Sequence, residues 1–230
     1  KDADGAYYAD YTGIMSVGWS ADKYGDISSL DDLLDPKFAG TVALNGKPAE
    51  AGAAFNGYLM ANQLAGGDIN NLQPGLDYFK KLKEAGNLTT VDVTNGTIDS
   101  GQTGVVFDWT YNQASYKKEL KDKGVNWKYK TFPKAQVVSY YNQAINKDAP
   151  HPAAARLWEE YLYTADAQNL WFKGGANPVL LDSMKEAGTV DQATLKDAIT
   201  IEGEPVSYTN DDSTRITEWL QNNWDKTIGN

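Results

Sequence analysis

Short apolar runs, each too brief for a helix and each followed by a stretch with helical spacing, constrain this chain most. Ile14–Val17 in the glycine-flanked TGIMSVGW, Thr41–Leu44 between Gly40 and Asn45-Gly46, and Gly104–Phe107 read as buried strands. The helices that follow the second and third of them are Ala51–Leu64, which is small and apolar, and Asn112–Lys121. Pro74–Ala85 joins them, with Leu76, Phe79 and Leu82 at three-residue steps and Gly86 behind as a cap. Strand followed by helix, repeated, points to a three-layer α/β arrangement. Ser28–Leu34 has capping serines and helical spacing and stops at Asp35-Pro36; Thr89–Val93 is a further strand and Asn95–Gly101 a polar turn or short helix. Trp127–Phe132 and Gln136–Ile145 alternate as strands about Pro133-Lys134. From Pro152 the chain reads as helical, over Ala153–Tyr163, Ala165–Phe172, Val179–Glu186 and Asp211–Trp224, with Asp211-Asp212-Ser213 capping the last.

At 230 residues and 41% hydrophobic, the chain can bury a sizeable core in one or two domains. A net charge of -10 argues against nucleic acid, because phosphate neutralisation needs a basic face. The absence of cysteine removes disulfides, thiolate metal sites and cysteine nucleophiles. No apolar run approaches the roughly 20 residues that span a bilayer. The opening Lys1-Asp2-Ala3-Asp4-Gly5, without an initiator Met, reads as a processed or trimmed start whose targeting segment would lie upstream.

Val105–Asn112 (VVFDWTYN) places Asp108, Trp109, Tyr111 and Asn112 at the tip of a buried strand, a binding wall more than a catalytic one. Asp108 reads equally as a ligand carboxylate or as the cap of the next helix, while Trp109 and Tyr111 are expected at a cleft surface. Alternation sends Tyr140 and Tyr141 to opposite faces, so at most one of them, beside Asn142, faces a given pocket. Asn45-Gly46-Lys47-Pro48-Ala49-Glu50 joins a strand to a helix, where free N–H groups could take an anion or simply form a turn. Glu50 would repel an anion there, so the charge of any ligand stays open. The one histidine, His151, lies in a Pro-rich loop and reads as structural, and the carboxylate pairs Asp31-Asp32, Glu159-Glu160 and Asp211-Asp212 read as solvated faces. No hydrolase, P-loop or dinucleotide signature occurs, and no metal, cofactor or catalytic group is expected.

The order of segments carries a resemblance. Gly5–Tyr24 followed by Ser29–Val42 (SLDDLLDPKFAGTV) is similar to the hinge strand and "dLlDPkfkGkv" element of extracellular solute-binding proteins of bacterial ABC importers. Asp99–Trp109 resembles their strand ending in Trp, Asn142–Leu162 (NQAINKDAPHPAAARLWEEYL) their "apHPxAA" segment, and Thr164–Pro178 (TADAQNLWFKGGANP) their "SxexQ…GxxP". The branch it most resembles is the type II group that includes polyamine-, thiamine-, ferric-ion- and 2-aminoethylphosphonate-binding proteins. The resemblance implies a type II periplasmic-binding-protein-like fold, α/β, with a three-layer α/β lobe, a helical carboxy-terminal region and an incomplete first lobe. Residues 5–24 would hold a hinge strand, 25–135 the second lobe, and 136–230 the return hinge strand and carboxy-terminal helices that complete the first. Family members carry about a hundred residues before this chain's start, on typical domain size, so apolar surface on the helical region would lack its cover.

By the same resemblance, a small polar solute, an amine among the candidates, is captured in an interlobe cleft and delivered to an ABC permease. Tyr11 and Thr12 fall where the first hinge crossing reaches the cleft, Lys47–Glu50 at the second lobe's first helix, and Trp109 on the family's tryptophan. Tyr141 stands near the polyamine group's amine-binding acid, a departure from that group. The implied protein is an extracytoplasmic monomer, periplasmic or a lipoprotein at the outer face of the cell membrane. The rivals are a small-molecule hydrolase using Asp108 and Glu50 and a carbohydrate-binding surface module.

Overall fold

The computed structural model describes residues 4–202 and 204–229; the opening Lys1-Asp2-Ala3 lies outside them. The elements, in order, are β1 (Tyr8–Ser20), α1 (Ala21–Tyr24), β2 (Val42–Leu44), α2 (Gly52–Leu64), α3 (Gln73–Glu84), β3 (Leu88–Thr89), α4 (Asn95–Asp99), β4 (Val105–Trp109) and α5 (Thr110–Leu120). There follow β5 (Trp127–Lys130), β6 (Val138–Gln143), α6 (Pro152–Leu162), α7 (Ala165–Lys173), β7 (Asn177–Pro178), α8 (Leu181–Ala187), α9 (Gln192–Asp197) and α10 (Asn210–Thr227). The chain forms two compact units, the smaller from the residues through Gly13 with Ser139–Ile201, the larger from Ile14–Val138 with the segment after Ile201.

In the larger unit the strand order is β3-β2-β4-β1-β5. β2 runs parallel to both β3 (Val42↔Leu88) and β4 (Leu44↔Phe107), whereas β1 is antiparallel to β4 (Met15↔Trp109) and to β5 (Gly18↔Tyr129). β4 is buried at all five positions because both faces are covered. Its odd residues Val105, Phe107 and Trp109 join the main core with residues of α2, α3 and α10, while Val106 joins a second cluster with Ile98, Leu120 and Trp127. This is the expected three-layer arrangement.

Two glycines set how closely the layers approach. A Cβ at Gly57 would stand 3.0 Å from Leu44 Cδ2 and 3.3 Å from Phe107 Cβ, so α2 lies against the sheet only because this residue has no side chain. A Cβ at Gly18 would fall 2.0 Å from Gln113 Oε1. Buried Gln113 spans that space, accepting from Trp127 Nε1 at 2.8 Å and donating to Val106 O at 3.0 Å.

Several expected elements change in kind. Ser28–Leu34 is no full helix; a 3₁₀ turn covers Asp31–Leu34, and the serines donate to Asp32 rather than cap. The strand at Thr89–Val93 shrinks to Leu88–Thr89, and β1 extends far beyond Ile14–Val17. α10 is capped by Thr209 in a capping box with Asp212, not by Asp211-Asp212-Ser213. Its residues Ile216, Leu220 and Trp224 belong to the main core, so the end of the chain packs within the larger unit.

The smaller unit pairs the first part of β1 with β7 (Tyr11↔Pro178, Thr12↔Asn177), and β6 also pairs with β1. Its own core is Phe172, Leu181, Met184 and Val190. α6 exposes Leu157 (74%), Trp158 (60%) and Tyr161 (42%), and α7 exposes Leu170 (61%). That is the region where uncovered apolar surface was expected.

Candidate functional site

In the larger unit the connections leaving β2 and β4 diverge. The chain after β2 runs through α2 and α3 to β3 on one side, and the chain after β4 runs through α5 to β5 beyond β1 on the other. The carboxyl ends of β2 and β4 therefore flank a topological switch point, where the outgoing loops separate and leave a crevice. The two loops are Asn45–Ala51 and the Trp109-Thr110 step.

Asn45 and Asp108 directly follow Leu44↔Phe107, the last pair of the β2–β4 register. Asn45 Nδ2 donates to Asp108 Oδ2 at 2.8 Å, and Tyr116 Oη donates to the same oxygen at 2.9 Å. Asp108 Oδ1 accepts from Trp109 N–H at 2.7 Å and Asn112 Nδ2 at 2.9 Å. Burial pushes the Asp108 carboxyl above the ordinary carboxylate value, against the pull of the four hydrogen bonds. The residue is fully buried, with both oxygens engaged inside the protein. The expected cap role does not hold, since the N-cap of α5 is Trp109; Asp108 instead ties the loop after β2 and the tip of β4 to α5.

Trp109 corrects a second expectation. It is 4% exposed and lies in the main core, because alternation along β4 aims it with Phe107. Tyr111, half-buried, stacks toward it at 6.4 Å and 16°. Asn112 is half-buried, and Glu50 is exposed on the loop before α2.

What the switch point does present is backbone. Neither Ala51, the N-cap of α2, nor Trp109, the N-cap of α5, supplies a side-chain cap. Thr94, Thr164, Asp191 and Thr209, by contrast, cap α4, α7, α9 and α10 with their side chains; α5 starts directly after β4, and α2 a seven-residue loop after β2. Beside the start of α2, at the carboxyl ends of β2 and β3, lies a cavity of about 540 Å³ lined by Leu44, Lys47, Glu50, Val91, Asp92 and Trp224 among others. Such a volume and mixed lining suit a small organic solute.

The smaller unit holds the other expected residues. Thr12 is buried, its hydroxyl donating to Ser139 O at 2.8 Å, which fastens β1 to β6. Tyr11 is sandwiched between Tyr141 (4.7 Å, 11°) and Trp171 (4.4 Å, 26°). Tyr140 is 49% exposed and has no part in that stack, and Asn142 is exposed. Sequence reasoning missed Asp10, fully buried, which accepts from Gln168 Nε2 at 2.9 Å and Gln143 Nε2 at 3.0 Å. It also missed Trp171. The available signal was Gln168 itself, a fixed letter of the "SxexQ" pattern.

Among the described residues no helix is long and apolar enough to cross a membrane, and no group of three or more His, Asp or Glu could hold a metal ion. A family model described as bacterial extracellular solute-binding protein matches residues 1–199. No curated protein matches the chain. Among solved structures, an extracellular solute-binding protein from Bordetella parapertussis superposes with a TM-score of 0.73 at 13% identity, over 99% of this chain and 70% of its own. The spermidine/putrescine ABC transporter substrate-binding protein PotD from Streptococcus pneumoniae gives 0.68 at 13%, over 98% and 70%. The periplasmic binding protein AfuA from Actinobacillus pleuropneumoniae, with fructose-6-phosphate bound, gives 0.66 at 19%, over 97% and 69%. These chains share the fold and extend it by about a further third of their length.

Proposed function

The chain belongs to the bacterial extracellular solute-binding proteins, and on that premise we propose that it serves an ABC uptake system as its extracytoplasmic binding component, acting as a monomer. Its solute is small and polar and carries hydrogen-bond acceptors, such as a carboxylate, phosphonate or phosphate ester. The observation that carries this reading is the switch point between β2 and β4, whose outgoing chains lead into two helices with no side-chain cap from their N-cap residues. The positive ends of α2 and α5 favour an oxyanion or a polar oxygen there. Lys47 in the adjoining cavity adds a cation, while Glu50 and Asp92 favour a solute that also bears a donor.

An amine held directly by Asp108 fits poorly, because both carboxylate oxygens are already taken. The same occupancy argues against Asp108 as the acid of a hydrolase, and binding without chemistry is the simpler reading. The test is Gly52→Pro. Proline is tolerated at the first helical position, and Ala51, at φ -121 and ψ 129, already has the extended backbone that proline requires before it. The substitution removes one N–H from the site. In calorimetry with a panel of carboxylates, phosphonates and phosphate esters, the wild type should bind one class, and Gly52→Pro should weaken it about fivefold or more without lowering the melting temperature. Equal affinity in the two proteins would remove α2 from the site.

A further inference from the structure

We propose that a cavity at the far end of α2 is a second binding site, suited to a monocarboxylate with a compact apolar body, of the arylalkanoate class. The site lies wholly within the larger unit and shares no lining residue with the cavity beside the start of α2.

α2 carries a cavity at each end. Its N-cap Ala51 lines the one beside β2 and β3, whereas Ala61, Leu64 and the C-cap Ala65 line the other, a helix length of about 20 Å away. The second cavity measures about 710 Å³, within the range of small-molecule sites. Leu30, Ala61, Tyr78 and Phe132 are buried and give it an apolar floor.

Its walls are held by the protein's own hydrogen bonds. Buried Asn62 joins the end of α2 to the start of α3, donating to Asp68 O at 2.9 Å and Asn71 O at 3.0 Å and accepting from Gly75 N–H at 2.8 Å. Tyr78 Oη donates to Leu30 O at 2.9 Å, and Asp32 gathers the N–H groups of Ser28 and Ser29. From the β5 side, Lys130 Nζ donates to Ser28 O at 2.9 Å. A cavity fixed in this way spares a ligand the entropy of ordering it.

The class of ligand follows from the charges left over. Lys81 on α3 and Lys134 in the turn after β5 both line the cavity and are exposed. Among the described residues neither has an ion-pair partner. Two acids also line the cavity, and they do not cancel the lysines. Asp77 already accepts from Gln73 Nε2 at 2.8 Å. Asp31 faces Tyr78, where burial first and then the Asp31 charge raise the hydroxyl above its ordinary value. The chain's net charge of -10 is a weak background at physiological salt, where screening leaves the nearest groups to decide the sign. Two ammonium groups from separate elements over an apolar floor thus complement a carboxylate joined to a ring or short alkyl body.

3-Phenylpropionate and its neutral counterpart 3-phenyl-1-propanol, titrated by calorimetry into the 230-residue protein, separate charge from shape. The acid is expected to bind saturably, with the alcohol roughly threefold or more weaker. Lys81→Gln with Lys134→Gln should weaken the acid about fivefold while leaving the alcohol and the melting temperature unchanged, and Lys134→Arg should retain binding. Ala65→Trp, at an exposed position, should fill the cavity mouth and abolish binding of both compounds. Equal binding of acid and alcohol, unchanged affinity in the double lysine variant, or no saturable binding by the folded wild type would each overturn the proposal. So would a loss caused by Gly52→Pro and not by Ala65→Trp, which would place the acid at the start of α2. The expected results do not need a solute at that start, so the two readings fail separately.

Discussion

At the scale of single residues, direction along a strand decides role. Trp109 and Asp108 are neighbours at one strand tip, yet the pleat sends the indole into the main core and the carboxylate to the α5 side. Trp109→Ala is therefore a cavity mutation. It should destabilise the protein by about 3–5 kcal/mol, read from a urea transition, with any loss of solute affinity following from that. An unchanged transition midpoint would show that the ring does not fill the core. Asp108 was legible as important and ambiguous in role, because a sequence carries no record of the Asn45 and Tyr116 that saturate it from other segments. Gly18 and Gln113 were not legible at all. Their pairing across β1 exists only once Trp127 is brought beside them.

At the scale of elements, caps and buried acids pull stability in opposite directions with pH. Asp32, Asp191 and Asp212 are held down at about 2, each chiefly by a backbone N–H, from Ser29, Thr194 and Thr209 respectively. Their folded values lie below the ordinary 3.8, so their contribution is complete above that value and disappears as pH falls through about 2. Asp10 and Asp108 are raised by burial, so their contribution is complete below the unfolded value and declines as pH rises through the folded one. The melting temperature should accordingly rise from neutrality to a maximum near about pH 4 and fall steeply toward pH 2. A flat profile from pH 7 to 4 would show that the two buried acids are not strained by burial. α3 and its glycine stop were readable from period and punctuation, Gly86 taking φ 75 as a glycine cap does. The 3₁₀ turn at Asp31–Leu34 was not, because Asp32 draws the serine donors toward itself and tightens the segment.

At the scale of the whole molecule, eight of the nine exposed large hydrophobic residues among the described residues belong to the smaller unit; the exception is Val91. Patches of this kind promote association. Leu157→Lys with Leu170→Lys should reduce dye binding and concentration-dependent self-association while shifting stability by no more than about 0.5 kcal/mol per site, as for exposed positions. A large fall in melting temperature would mean that these side chains are packed after all. Solved relatives carry about a third of their length beyond what this chain matches, and among the described residues the smaller unit's core cluster holds four buried hydrophobic residues.

The sequence by itself determined the alternation of strands and helices, the three-layer class and the family, because periodicity and the collinear order of short patterns are local properties of a chain. Tertiary structure alone decided the sheet order that creates the switch point and the inward turn of Trp109. It also decided the saturation of Asp108 and the meeting of Tyr11 with Trp171 across 160 residues of chain. Each of these depends on which distant segments become neighbours, and pairing of that kind is fixed by packing the whole core.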